Sequence, residues 1–184
     1  MNQPRYNSTS IALHWLIAIV MIGTFCLGLY MQDLPLSPTK LQLYSWHKWA
    51  GIAVLIAFVL RLIWRLTHAA PKLPSSMSKG MQALAHLMHW LMYLLMFAIP
   101  LSGWLMSSAQ GFSVVWFGIW PLPDLVSKDA ALGESLKTLH IVLNYTFLVF
   151  LVAHIGAALK HHFIDKDTIL SRMLPLVKPR STGE

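Results

Sequence analysis

The sequence predicts an all-α membrane protein in which four transmembrane helices form a single domain over residues 1–184. Of its 184 residues, 56% are hydrophobic and 11% are charged, a composition typical of integral membrane proteins. Four apolar stretches reach the roughly 20 residues that a helix needs to cross the hydrocarbon core of a membrane. They are residues 11–30, 47–66, 83–107 and 138–159.

The stretches have distinct local features. Residues 11–30 follow one basic residue, Arg5, and precede no small-x-small cleavage site, so they are expected to remain as a helix and not to act as a signal peptide. The third stretch contains Pro100, which should kink it, and Gly103, where a neighbouring helix can approach closely. The only cysteine, Cys26, excludes an intramolecular disulfide and is expected to face lipid or pack in the core.

The connections between the stretches predict the orientation. Residues 31–46 and 108–137 form the outer loops, and "FSVVWFGIWPLPDL" in the second is expected to lie along the membrane interface. The inner side has Arg5, Arg61, Arg65, Lys72, Lys79, Lys160, Lys166, Arg172, Lys178 and Arg180. The outer side has Lys40, Lys48, Lys128 and Lys137. This asymmetry places both termini in the cytoplasm and makes the net charge of +7 an anchor to anionic lipid, with no nucleic-acid partner.

Histidines inside the apolar stretches indicate a cofactor. His140 and His154 are fourteen residues apart, which puts them on one helix face and about 21 Å apart along the axis. Each can ligate a separate haem iron if another helix supplies a second imidazole at the same depth. At the outer level the second ligand is His47. At the inner level depth leaves three alternatives, which are His14, His86 and His89.

Other residues suit a haem better than zinc, because no cysteine or carboxylate lies at these depths. Gly51, one turn after His47, and Gly23 would let a flat macrocycle approach the backbone. Arg61 and Arg65 share a helix face and suit the inner haem's propionates, although Arg65 also suits snorkelling to the inner headgroups. His161 and His162 lie beyond the inner boundary and are expected to be surface residues.

Several motifs, in this order, resemble the bacterial cytochrome b561 family, in particular its short di-haem type. The motifs are "ALHWL" at 12–16, "WHKWAGI" at 46–52, "RLIWRL" at 61–66, "ALAHLMHWLMYLLMFAIPLSGWLM" at 83–106, "ESLKTLH" at 134–140 and "HHFIDKDTILSRMLP" at 161–175. The resemblance covers nearly the whole chain. It implies a four-helix bundle of the bacterial inner membrane that encloses two haem b groups.

The resemblance also implies roles for individual residues. His14 and His154 would share the inner haem, and His47 and His140 the outer one, while His86 and His89 would not be axial ligands. The implied activity is that of a superoxide:ubiquinone oxidoreductase, with superoxide as the periplasmic donor. Lys137 would then lie beside the outer haem, where its charge attracts an anionic donor or binds a quinone carbonyl. Lys137 also fits an interfacial lysine without such a role.

Two further hypotheses are compatible with the sequence. The chain is either a membrane-anchor cytochrome b for a separate dehydrogenase or hydrogenase, or a non-redox bundle whose histidines carry protons. No long extension follows the fourth stretch, which favours a free-standing protein over an anchor subunit. A homodimer is compatible with all three hypotheses.

Overall fold

The computed structural model describes residues 5–74 and 77–174, and it consists mainly of four long helices. The elements are α1 (Ser8–Gln32), α2 (Pro38–Thr67), α3 (Lys79–Ala109), β1 (Val115–Trp116), β2 (Trp120–Pro121), α4 (Ala130–Phe163) and α5 (Ile169–Met173). All four long helices are long and apolar enough to cross a membrane. The predicted four-helix membrane bundle is therefore confirmed, with a small two-stranded hairpin added to it. Lys178 and Arg180, which contributed to the predicted orientation, lie outside the described residues.

Each long helix begins at a side-chain cap, and most extend well beyond the predicted apolar stretch. Asn7, Ser37, Ser78 and Asp129 each accept a hydrogen bond from a backbone N–H in the first helical turn. Such caps satisfy backbone donors that have no partner within the helix. Residues 38–46 and 130–137, which were predicted to be loop, are consequently helical, as are residues 79–82 before the third apolar stretch. Hydropathy marks only the apolar part of a helix, so the prediction placed these boundaries wrongly.

The bundle has a small core halfway along its length. Neighbouring helices pack in chain order, α1 on α2, α2 on α3 and α3 on α4. Ile17, Phe58 and Met96, one from each of the first three helices, form a buried cluster. Tyr93 and Phe147 pack against this cluster, and Phe147 brings α4 into it. The core thus joins all four long helices.

One end of the bundle, called here the hairpin end, is covered by the connection between α3 and α4. Gly111 follows α3 with a φ of 78° and ends the helix in the left-handed conformation that glycine adopts readily. β1 and β2 then pair as an antiparallel hairpin. The Trp49 indole donates to the Val115 carbonyl, and the Trp116 indole donates to the Trp49 carbonyl. These two bonds fix the hairpin to α2.

The opposite end, called here the terminal end, holds both ends of the described chain. Residues 165–174, which we call the C-terminal strap, contain α5 and fold back beneath the bundle. Buried Arg172 donates to the Lys72 carbonyl at 2.7 Å. The Trp15 indole donates to the Met173 carbonyl at 2.8 Å, and Arg5 donates to the Leu174 carbonyl. The strap is therefore bonded to the start of α1 and to the connection between α2 and α3.

Candidate functional site

Two histidines face each other near the hairpin end. The ring centres of His47 on α2 and His140 on α4 are 6.3 Å apart, and their planes make an angle of 76°. Each ring packs against a glycine of an adjacent helix. A Cβ at Gly28 would lie 3.2 Å from the His47 ring, and one at Gly103 would lie 3.1 Å from the His140 ring. The close approach predicted at Gly103 is confirmed, and the neighbour is a histidine.

His140 is held by two oxygen atoms of α3. Its Nδ1 lies 3.1 Å from the Ile99 carbonyl oxygen and 2.9 Å from Ser102 Oγ. A carbonyl oxygen can only accept a hydrogen bond, so the proton of neutral His140 resides on Nδ1. The lone pair of Nε2 is then available to a metal.

A second pair lies near the terminal end. The ring centres of His14 on α1 and His154 on α4 are also 6.3 Å apart, with an angle of 64° between the planes. His89 on α3 lies closer to His154, at 5.4 Å between ring centres, and its Nδ1 donates to the Ala85 carbonyl at 2.6 Å. His86 is exposed, less than one turn before His89. Of the three histidines that the sequence left as possible partners of His154, the structure brings His14 and His89 beside it.

The geometry of both pairs fits a metal held between two imidazoles. With metal–nitrogen bonds of about 2 Å and roughly 1.1 Å from nitrogen to ring centre, two opposed imidazoles have centres about 6 Å apart. Both pairs have this spacing. Nδ1 of His47 is also buried without a hydrogen-bond partner among the described residues. The donor sets therefore suit a group ligated by two histidines, such as a b-type haem.

The two arginines predicted to bind haem propionates, Arg61 and Arg65, differ in their surroundings. Arg61 is half-buried, and its Nε donates to the Tyr93 hydroxyl at 3.0 Å. Arg65 is exposed one turn later, as the snorkelling interpretation requires. At Gly51 a Cβ would meet no atom within 4 Å, and the same is true of Gly23. The backbone at both glycines is therefore open to a flat group.

Three lysines at the hairpin end lie within bonding distance of oxygen atoms of the protein itself. Lys137 is exposed and lies 3.3 Å from the Glu134 carboxylate, in α4 and not in a loop. Lys48 is half-buried, and its Nζ lies 3.3 Å from the Phe112 carbonyl oxygen. Lys40 donates to the Gln32 carbonyl at the end of α1. Lys137 and Lys48 nevertheless lie at the same end of the bundle as His47 and His140.

His161 and His162, which were expected to be surface residues, are both partly exposed, and His161 also takes part in a polar cluster. The His161 side chain is 15% exposed, and its Nδ1 lies 2.7 Å from an Asp167 oxygen and 3.1 Å from an Asp165 oxygen. A hydrogen bond from Lys160 holds the pKa of the Asp165 carboxyl below its ordinary value, with help from the charges of Lys160 and His161. The four residues join the end of α4 to the C-terminal strap. The aspartates four and six positions after His161 were the signal for this cluster.

Comparison with known proteins gives consistent matches along the chain. Residues 5–176 match the family described as prokaryotic cytochrome b561. "Cytochrome b561 homolog 2" of Escherichia coli K12 is 38% identical over 92% of this chain and 91% of its own length. "Cytochrome b561 homolog 1" of the same organism is 30% identical over 93% and 97%. "Probable superoxide oxidase CybB" of Yersinia pestis is 28% identical over 93% and 96%.

Proposed function

Because the chain belongs to the prokaryotic cytochrome b561 family, we propose that it is a di-haem cytochrome that carries electrons from superoxide to ubiquinone. The family assignment gives electron transfer in a multi-pass membrane protein and implies b-type haem. The observation that carries the proposal of two haems is the second histidine pair. His14 and His154 have the same 6.3 Å spacing as His47 and His140, at the other end of the bundle.

In the proposed mechanism His47 and His140 would hold one haem, and His14 and His154 would hold a second. A haem supplies the capacity to accept and release one electron. With two imidazoles to hold each haem, the chemistry supplied would be electron transfer without binding of oxygen at the iron, and the part of the four histidines would be to hold and orient the haems. The buried core of Ile17, Phe58 and Met96 lies between the two levels and keeps water out of the middle of the bundle.

The substrates are proposed from charge, stoichiometry and one relative. Two superoxide ions release two electrons and become two O₂, while one quinone takes up those electrons and two protons to form a quinol. Lys137 and Lys48 place positive charge at the hairpin end, which favours approach of an anionic donor. The name of the Yersinia relative, 28% identical, supports superoxide as that donor. We place the hairpin end in the periplasm and both termini in the cytoplasm, in the bacterial inner membrane.

The proposal is tested with purified wild-type protein and the variants His47→Ala and His140→Ala. Wild type should contain two b haems per chain and reduce a soluble quinone analogue with superoxide. Either variant should lose one haem and with it the superoxide reaction, since the remaining histidine cannot hold the iron alone. His86→Ala is the matched control and should retain both haems and the activity, because His86 is exposed and outside both pairs.

Each unfavourable result has a definite meaning. A colourless wild-type protein that cannot be reconstituted with haem would contradict the proposal and favour the proton-carrying bundle. Superoxide-dependent quinone reduction at the normal rate in His140→Ala would remove the hairpin-end haem from the electron path. Two haems with no superoxide reaction, together with a soluble subunit that co-purifies in equal amount, would favour a membrane-anchor cytochrome.

A further inference from the structure

Ser102 is a buried serine on α3 that lies against the proposed haem ligand His140. Ser102 is only 3% exposed. The hydroxyl donates to the Ile99 carbonyl, three residues earlier on the same helix, at 2.7 Å. Because its proton is used in this bond, Ser102 Oγ has only lone pairs to offer to another residue.

His140 donates a hydrogen bond to the Ser102 hydroxyl oxygen. Nδ1 of His140 lies 2.9 Å from Ser102 Oγ and 3.1 Å from the Ile99 carbonyl oxygen, so one N–H is shared between two acceptors. The next residue, Gly103, lets the imidazole come this close, since a Cβ there would lie 3.1 Å from the ring. Three groups of α3, the Ile99 carbonyl, the Ser102 hydroxyl and Gly103, therefore define the position and orientation of the His140 ring.

The two histidines of the hairpin-end pair are thus held unequally. Nδ1 of His140 lies within hydrogen-bond distance of two acceptors, one of them a serine hydroxyl, whereas Nδ1 of His47 makes no well-formed hydrogen bond among the described residues and has the Thr24 carbonyl near it. A hydrogen bond from Nδ1 makes an imidazole more basic toward a metal and fixes its orientation. A more basic axial ligand stabilises ferric over ferrous iron and lowers the reduction potential.

We infer that Ser102 is a positioning residue that lowers the reduction potential of the haem held by His47 and His140. The inference rests on the proposed ligation of that haem. Ser102 acts through His140 and touches no substrate. Because a lower reduction potential makes a reduced haem a stronger electron donor, Ser102 would favour electron transfer from this haem to the next acceptor. The inference adds a third residue of α3 to the site, beside the Ile99 carbonyl and Gly103.

The test is a spectroelectrochemical titration of purified wild type and Ser102→Ala. We expect the potential of one haem to rise while the other stays unchanged. A tenfold change in the equilibrium between the oxidised and reduced forms corresponds to about 59 mV for one electron. The EPR signal of the same ferric haem should also change, because it depends on the orientation of the imidazole planes. Ser102→Thr retains a hydroxyl that can bond to the Ile99 carbonyl and should restore the wild-type potential.

The control is Ser135→Ala, because this serine makes the same kind of helical bond, to the Ala131 carbonyl, without touching a histidine. It should leave both potentials unchanged. If Ser102→Ala does not retain haem, Ser102→Cys is titrated instead, since a thiol of similar size is a weak hydrogen-bond partner. Unchanged potentials and EPR signals in the measurable variant would overturn the inference. His140→Ala separates the two claims, because retention of both haems there would contradict the ligation itself.

Discussion

At the terminal end, His14 and His89 are the two candidates for the second histidine that would hold a metal together with His154. His14 has the 6.3 Å spacing of the hairpin-end pair, while His89 is nearly 1 Å closer at 5.4 Å. That shorter distance leaves less room for two metal–nitrogen bonds of about 2 Å each. The Nδ1 of His89 donates to the Ala85 carbonyl, which leaves its Nε2 lone pair available just as in His140, so this bond does not discriminate between the two candidates. The spacing of the rings favours His14 as the ligand and His89 as a neighbour of the pair.

We predict that His14→Ala loses one of two haems and that His89→Ala keeps both. The reason is that His14, unlike His89, has the spacing from His154 at which two imidazoles could hold one metal between them. The measurement is haem per chain by the pyridine haemochromogen assay, with visible spectra of the reduced proteins. The two variants serve as matched controls, because each removes one imidazole that lies beside His154. Loss of haem from His89→Ala and not from His14→Ala would reverse the assignment.

At the level of elements, the C-terminal strap is linked to a proposed haem ligand through one tryptophan. The Trp15 indole donates to the Met173 carbonyl, and its ring makes an edge contact with His14, at 5.4 Å between ring centres. Arg172 anchors the same strap to the connection after α2. The strap therefore holds the start of α1 in place, next to the first residue of the terminal-end pair.

We predict that Trp15→Phe loosens the strap without removing the aromatic contact to His14. The variant lacks the indole N–H, and a lost hydrogen bond of this kind costs about 1 kcal/mol. Hydrogen exchange of the amides of residues 169–174, measured in detergent, should become about fivefold faster. Trp104→Phe is the control, since it loses a similar bond to the Pro123 carbonyl at the other end. Equal exchange in wild type and Trp15→Phe would show that this bond does not hold the strap.

The elements also show what the sequence could and could not predict. Hydropathy identified all four long helices because their apolar stretches are long. It missed residues 38–46 and 130–137 because Ser37 and Asp129 start those helices in polar sequence. At the site, the fourteen-residue spacing on α4 was visible in the sequence and depth pointed to His47. The bond from His140 to Ser102 was not predictable, because it depends on the rotation of α3 against α4.

For the whole molecule, the distribution of basic residues predicts how the bundle is oriented in the membrane. Basic residues are concentrated at the terminal end, and such residues favour the cytoplasmic side. At that end Arg65 is exposed at the end of α2, where it can reach lipid headgroups. Among the described residues the hairpin end has fewer basic residues, all of them lysines, and several of these are bonded to carbonyls or to a carboxylate. Both observations favour a periplasmic hairpin end, where a donor such as superoxide would arrive.

We predict that cysteine labelling in intact cells will show this orientation. The labelling uses a background in which the only cysteine, Cys26, is changed to serine. Cysteine at Ser127, exposed in the connection at the hairpin end, should react with a membrane-impermeant maleimide added outside. Cysteine at Thr67, exposed at the end of α2, should react only after the inner membrane is permeabilised. The Cys26→Ser protein itself is the blank. The opposite pattern would contradict this orientation and place His47 and His140 on the cytoplasmic side, where the proposed donor, superoxide, would have to be generated inside the cell.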